Sequence, residues 1–262
     1  MRLEGKVAIV TGSSRGIGAC IARRYGEEGA RVAVVAHTKL DKAEAVAGEI
    51  NDSGGEAKAF QADVAKVSDC ERLAGEVAAA FGPVDILVNN AGIFTAVPIE
   101  DTTEEIWDSQ IDLNMKGSFF MAKAVVPGMK AKGRGKIINV TSIAGVGGFP
   151  NSGAYCSSKG GQLNMVKALC LELAEFGINV NSLAPGNIET DMNAPYRAEP
   201  GYDERQKSLT PARIGHLDPN DLTGAAVFFA SADSDLVHGA NLLVDGGCRL
   251  VGGKAHGKRY SL

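Results

Sequence analysis

A chain of 262 residues, 45% hydrophobic and 22% charged, is long enough to bury a sizeable core and has an ordinary globular composition. Its net charge of −4 argues against nucleic acid or an anionic membrane as partner, and no apolar run approaches the roughly 20 residues that span a bilayer. The start, residues 1–6, lacks a signal-peptide apolar region, and the five cysteines and four histidines are scattered, which together point to a reducing cytosol and to no metal site.

Taken in chain order, short β-branched runs predict strands at 7–10, 32–35, 57–61, 86–89, 137–140, 178–183 and 242–244. Helical spacing predicts helices at 17–28, 41–53, 68–81, 106–132 and 154–176. In the last of these, Leu163, Val166, Cys170 and Leu173 recur at three- and four-residue steps and form an apolar stripe. Strands that are apolar almost throughout are covered on both faces, which predicts an α/β fold, a parallel sheet with helices on each side. The alternation continues past residue 150 without a linker, so residues 1–250 read as one domain. Two stretches break the rhythm. Residues 187–217 are polar, carry Pro195, Pro200 and Pro211, and predict an irregular lid. Residues 251–262 lack periodicity and predict a loose C-terminal tail.

The first strand runs into Thr11-Gly12-Ser13-Ser14-Arg15-Gly16-Ile17-Gly18, where a helix begins. A glycine-rich turn lets backbone approach a phosphate, and a helix N-terminus supplies free N–H groups and a positive dipole end. This predicts a dinucleotide site. Where an NAD-selective fold places a carboxylate at the end of its second strand, this chain has Ala36-His37-Thr38-Lys39. With Arg15 nearby, that favours the 2′-phosphate of NADP, with NAD also admitted.

Ser142 ends the apolar run 136–142, which reads as a buried strand, and Tyr155 and Lys159 stand four residues apart at the start of the following helix, on one face. An ammonium beside a phenol favours the phenolate. Bringing a tyrosine from about 10 to about 7 takes roughly 4 kcal/mol, and one charge about 5 Å away at an effective dielectric near 20 supplies roughly 3 kcal/mol. On that argument Lys159 alone nearly suffices to make Tyr155 an acid–base catalyst at neutral pH. Cys156, beside it, reads as a small packing residue.

The ordered set of motifs resembles the short-chain dehydrogenases/reductases in their single-domain form, over about residues 3–249. Gly12, Gly16 and Gly18 match the family's cofactor loop, with Ser14, Arg15 and Ile17 between them. Asp63 and Val64 match its adenine contact, and Asn90, Ala91 and Gly92 the motif that follows Asn89. Pro185, Gly186, Ile188 and Thr190 match its nicotinamide turn, and Val244-Asp245-Gly246-Gly247 its last strand ending. Asn114 completes a tetrad with Ser142, Tyr155 and Lys159. The resemblance implies a Rossmann-type, doubly wound seven-stranded parallel sheet and, commonly, a homotetramer. It also implies hydride transfer between NADP(H) and a C–OH or C=O group. In that chemistry Tyr155 would be acid and base, Ser142 would hold the substrate oxygen, Lys159 would bind the nicotinamide ribose, and Asn114 would carry a relay water.

For the substrate, the polar lid and the small residues around 145–152 suggest a sugar, polyol or sugar acid, with Arg197 or Arg205 available to an anionic group. Phe94 and Phe149 are the large apolar candidates for the pocket. The alternatives are a 3-oxoacyl-(acyl-carrier-protein) reductase and, from another class, a non-catalytic dinucleotide-binding regulator.

Overall fold

Strands form on the β-branched runs: β1 (Val7–Val10), β2 (Arg31–Ala36), β4 (Ile86–Asn89), β5 (Gly135–Val140) and β6 (Ile178–Pro185), the last two carrying buried Asn139, Asn179 and Asn181 among their apolar residues. β3 (Glu56–Gln61) and β7 (Asn241–Val244) are more exposed and close the two edges. The computed structural model describes residues 1–251, so the predicted tail, beyond its first residue, lies outside the described residues. The seven strands form one parallel sheet in the order β3-β2-β1-β4-β5-β6-β7. This is a doubly wound Rossmann-type α/β fold.

Alternate strand residues feed two cores. Ala8, Val10, Val32 and Val34 pack under α1 (Gly16–Glu27), α2 (Leu40–Asp52) and α9 (Thr223–Ala230). Val7, Ile9, Ala33 and Val35 pack under α3 (Val67–Phe81), α5 (Gly117–Lys132) and α6 (Gly153–Leu173). Both faces are therefore dry at the centre of the sheet, which is why β1, β2 and β4 are apolar almost throughout. The chain steps outward from β1 to β3, then returns to lay β4 on the other side of β1. The helices that follow β1 and β4 consequently run to opposite faces of the sheet, and a crevice opens at the carboxyl ends of the strands.

The structure departs from the predicted elements in three places. The helix expected at 106–132 is α4 (Glu104–Ile111), a five-residue π turn (Asp112–Lys116) and α5. The segment 187–217 is not irregular throughout: it carries α7 (Ala194–Arg197) and α8 (Tyr202–Leu209). Helix α9 lies where no element was expected, because Ala225-Ala226-Val227-Phe228-Phe229-Ala230 is apolar on all sides and shows no amphipathic period.

Candidate active site

The crevice is a cleft of ≈ 1160 Å³, lined by the glycine loop and by Ser142, Tyr155 and Lys159. The glycine loop is built from the inside. Buried Ser13 donates from Oγ to the Val10 carbonyl oxygen (2.6 Å) and accepts from the Val35 amide (2.8 Å), clamping the turn between β1 and β2. Thr11 Oγ1 accepts from the amides of Asn90 and Ala91, each at 3.0 Å. Asn90 Nδ2 donates to the Thr11 and Gly12 carbonyl oxygens at 2.9 and 3.1 Å. The loops after β1 and β4 are thus stitched together across the switch point. Gly12 has φ +63°, and a Cβ there would stand 2.9 Å from Ala91 Cα, so no larger residue fits.

The cleft is lined by Gly12, Ser14, Arg15, Gly16 and Ile17 of the glycine loop, with His37, Thr38 and Lys39 beyond β2 and Asp63 and Val64 beyond β3. Asn90, Ala91, Gly92, Pro185, Gly186, Ile188 and Thr190 also line it. Two expected residues do not. Gly18 packs beneath the loop, where a Cβ would strike Asn90 Nδ2 and Gly12 O, so its role there is to let α1 approach. Asn114 is fully buried behind the wall.

The residues present fit a dinucleotide. Helix α1 begins without a side-chain cap and with no acidic residue in its first turn, so its N-terminal end suits a pyrophosphate. Asp63 already accepts from the Ala65 amide and faces His37 Nε2 at 3.8 Å and Lys66 Nζ at 3.6 Å. Lys39, beside His37, is the cation that the cleft wall adds at the end of β2.

In the same cleft, the Ser142 side chain caps the 3₁₀ turn Ile143–Gly145 by accepting from the Ala144 amide at 3.0 Å, and it neighbours the Tyr155 phenol, which it draws downward. Phe94 meets Tyr155 edge-on at 4.8 Å between ring centroids and faces Tyr196 at 5.8 Å. Burial pushes the Tyr155 phenol up to about 12, against the pull of Ser142. Burial also draws Lys159 down to about 7. The expected lowering of Tyr155 by Lys159 does not appear: burial, Ser142 and Cys156 are what act on the phenol. Lys159 Nζ stands 5.9 Å from the Tyr155 ring centroid and is held by the Val140 carbonyl oxygen (2.9 Å) and Gln162 Oε1 (3.2 Å). The Coulomb argument omitted the desolvation of both partners, which here is the larger effect.

Asn114 sits in the π turn, and its carboxamide accepts from the Ile93 amide (2.9 Å) and donates to the Ile93 carbonyl and Ser158 Oγ, both at 3.0 Å. It reaches the site through Gly92, whose added Cβ would meet Asn114 Oδ1 at 3.1 Å and Lys159 Nζ at 3.7 Å. Sequence reasoning missed the buried partners Gln162, Ser118 and Ser158. The available signal was Gln162 at i+3 from Lys159, a polar residue beside the apolar stripe of α6.

The segment 187–217 covers the cleft with Met192, Tyr196, Tyr202 and Leu209. Its arginines are already engaged: Arg197 pairs with Glu189 and Asn193, and Arg205 with Glu199 at 3.0 Å and the Pro200 carbonyl at 2.9 Å. Phe149 lines the cleft alongside Phe94, as expected. Among the described residues no group of His, Cys, Asp and Glu could hold a metal ion, and no helix is long and apolar enough to cross a membrane.

A family model described as short chain dehydrogenase matches residues 6–201. The chain is 40% identical to galactitol 2-dehydrogenase of Agrobacterium fabrum, over 94% of this chain and 98% of that one. It is also 40% identical to a 3-oxoacyl-(acyl-carrier-protein) reductase of Staphylococcus epidermidis, over 92% and 98%. Among solved structures it is similar to a gluconate 5-dehydrogenase from Burkholderia cenocepacia in complex with NADP and tartrate, with a TM-score of 0.89 and 37% identity over 94% of this chain and 96% of that one.

Proposed function

The chain belongs to the short-chain dehydrogenase/reductase family, and on that premise we propose that it interconverts a secondary alcohol and a ketone on a small neutral polyol, using NADP(H) in preference to NAD(H). The enzyme class is that of the family, a nicotinamide-dependent oxidoreductase acting on alcohol groups. The observation that carries the reading is that Ser142, Tyr155 and Lys159 line the same cleft as the glycine loop. The cleft residues would hold a nicotinamide dinucleotide, whose chemistry would be hydride transfer at the reacting carbon. Tyr155 supplies the proton to the substrate oxygen in reduction and receives it in oxidation. Ser142 donates a hydrogen bond to the same oxygen, stabilising charge that develops on it. Lys159 contributes positive charge and an N–H to the cofactor side. Asn114, one glycine away, serves a proton relay.

A neutral substrate is preferred over a sugar acid because Arg197 and Arg205 are satisfied by carboxylates of their own segment. Lys39 and the absence of a carboxylate at the end of β2 support the 2′-phosphate, with Arg15, which faces Asp191 at 3.6 Å, in the same wall. The second reading, reduction of a 3-oxoacyl thioester, draws on Phe94, Phe149, Met192 and Leu209 in the cleft wall and on the reductase relative. Five free cysteines accord with the cytosol. Family membership carries the expectation of a homotetramer, read by light scattering.

The test is kcat/KM with each cofactor for galactitol, sorbitol, D-gluconate and an acetoacetyl thioester. Polyols should lead, with NADP+ ahead of NAD+ by tenfold or more. A thioester turned over far faster than every polyol would replace the substrate reading. An NAD+ preference of that size would replace the cofactor reading.

A further inference from the structure

Gln162 is completely buried, on the same face of α6 as Lys159. A carboxamide can turn either its oxygen or its nitrogen towards a neighbour, and here the far side decides which. The Ser118 hydroxyl donates to the Asn114 backbone carbonyl at 2.8 Å, which uses its only hydrogen. Gln162 Nε2, 2.8 Å from Ser118 Oγ, is therefore the donor of that pair. With the nitrogen committed, Oε1 faces Lys159 at 3.2 Å. The four residues form a one-way chain in which Lys159 donates to Gln162, Gln162 to Ser118, and Ser118 to Asn114. All are buried: Lys159 and Ser118 are 4% exposed, Gln162 and Asn114 0%.

We propose that Gln162 is a positioning residue of this active site: it aims the Lys159 amine and, as its second carbonyl acceptor, holds that amine in the charged form. The proposal rests on the reading of Lys159 as part of the catalytic site. An ammonium has three N–H groups. The Val140 carbonyl and Gln162 Oε1 take two, leaving the third for the cleft that Lys159 lines. Neutral groups face it from every packed element: Val140 from β5, Gly92 from the β4 loop, Asn114 from the π turn behind Gly92, and Gln162 from α6. Tyr155 is the titratable neighbour, and among the described residues no carboxylate acts on Lys159, whose displacement has burial as its cause. With no counter-ion, hydrogen-bond acceptors are what remains to stabilise the cation.

The test is an NMR titration of the cofactor-free chain with lysines labelled at Cε, the Lys159 signal being assigned by its loss in Lys159→Met. Gln162→Leu should move the Lys159 midpoint to lower pH by about one unit, since a hydrogen bond to a charged group is worth about that much. Gln162→Glu should move it to higher pH, because a carboxylate at that distance favours the ammonium. Displacements of opposite sign do not arise from general loosening of the core. Should the leucine variant fail to fold by thermal melting, Gln162→Met takes its place and the glutamate variant still decides. Unchanged midpoints in both variants, or displacements of the same sign, would overturn the proposal. The catalytic reading fails separately: Tyr155→Phe turning over at the wild-type rate would remove it and leave these midpoints where they are.

Discussion

Burial acts on Tyr155 and Lys159 so that each is driven towards its uncharged form: the phenol is pushed up to about 12 and the amine is drawn down to about 7. A protonated Tyr155 is ready as general acid, whereas oxidation requires it to lose that proton first. Oxidative kcat should therefore still be rising at pH 9, while reductive kcat should show no rise from pH 7 to pH 9. Steady-state rates in both directions check this; an oxidative plateau reached by pH 7 would mean that the charge of Lys159 governs the phenol after all. Tyr155→Phe should keep dinucleotide affinity within about threefold in calorimetry and lose turnover by about 10²–10⁴, the size of a general acid–base contribution. The residue types of the proposed reaction were legible because their spacing is local: Ser142 ends a strand, and Tyr155 and Lys159 share one helical turn. The electrostatic outcome was not legible. It depends on how deeply the fold buries the pair, and on Val140 and Gln162 as partners of Lys159.

Elements, by contrast, were legible where amphipathic or β-branched periodicity was strong and obscure where packing overrode it. The strands were read to within two residues at each end, because each carries a β-branched or apolar run bounded by turn residues. The π turn was not, since its signal is tertiary. Gly117 meets the Val64 carbonyl so closely that an added Cβ would stand 2.6 Å from the oxygen, and Asn114 is pulled to Ile93 and Ser158. Pro195 and Pro200 suggested loop, yet Pro195 stands in the first turn of α7, where its missing N–H costs nothing. The glycine loop is the element whose sequence and geometry agree most directly. Gly12→Ala would add a side chain at positive φ, costing about 1–2 kcal/mol, and press it onto Ala91 Cα. The variant should melt several degrees below wild type and bind NADPH at least tenfold more weakly, by scanning calorimetry and isothermal titration. Unchanged affinity would show that the stitch between the β1 and β4 loops does not shape the cofactor end of the cleft.

For the molecule as a whole, keeping Lys159 in a dry interior links fold stability to pH. In the unfolded chain this lysine holds its proton up to about 10.5; in the folded chain it releases it at about 7. Between those values the unfolded state binds more protons, so the Lys159 contribution to unfolding free energy rises with pH. Stability from this group is fully present above the unfolded value and is lost as pH falls through the folded one. With Lys159 4% exposed, solvent screening is slight, and the contribution amounts to a few kcal/mol across the window. Lys159→Met removes that dependence while leaving the other titrating groups in place. Its melting temperature minus that of wild type should therefore be most positive near pH 6.5 and fall steadily towards pH 9. The Val140 and Gln162 acceptors that the variant orphans shift the whole curve by a constant, because neither titrates. The slope, not the offset, carries the prediction. Thermal melts of both proteins at half-unit steps measure it, and parallel curves would mean that Lys159 keeps an ordinary lysine affinity for its proton inside the fold. Tyr155 does not confuse the window, since its raised value begins to act only above about pH 10. The chain thus gives up stability at neutral pH to hold an amine where the proposed reaction needs it, and the two cores on either side of the sheet supply the margin that makes this tolerable.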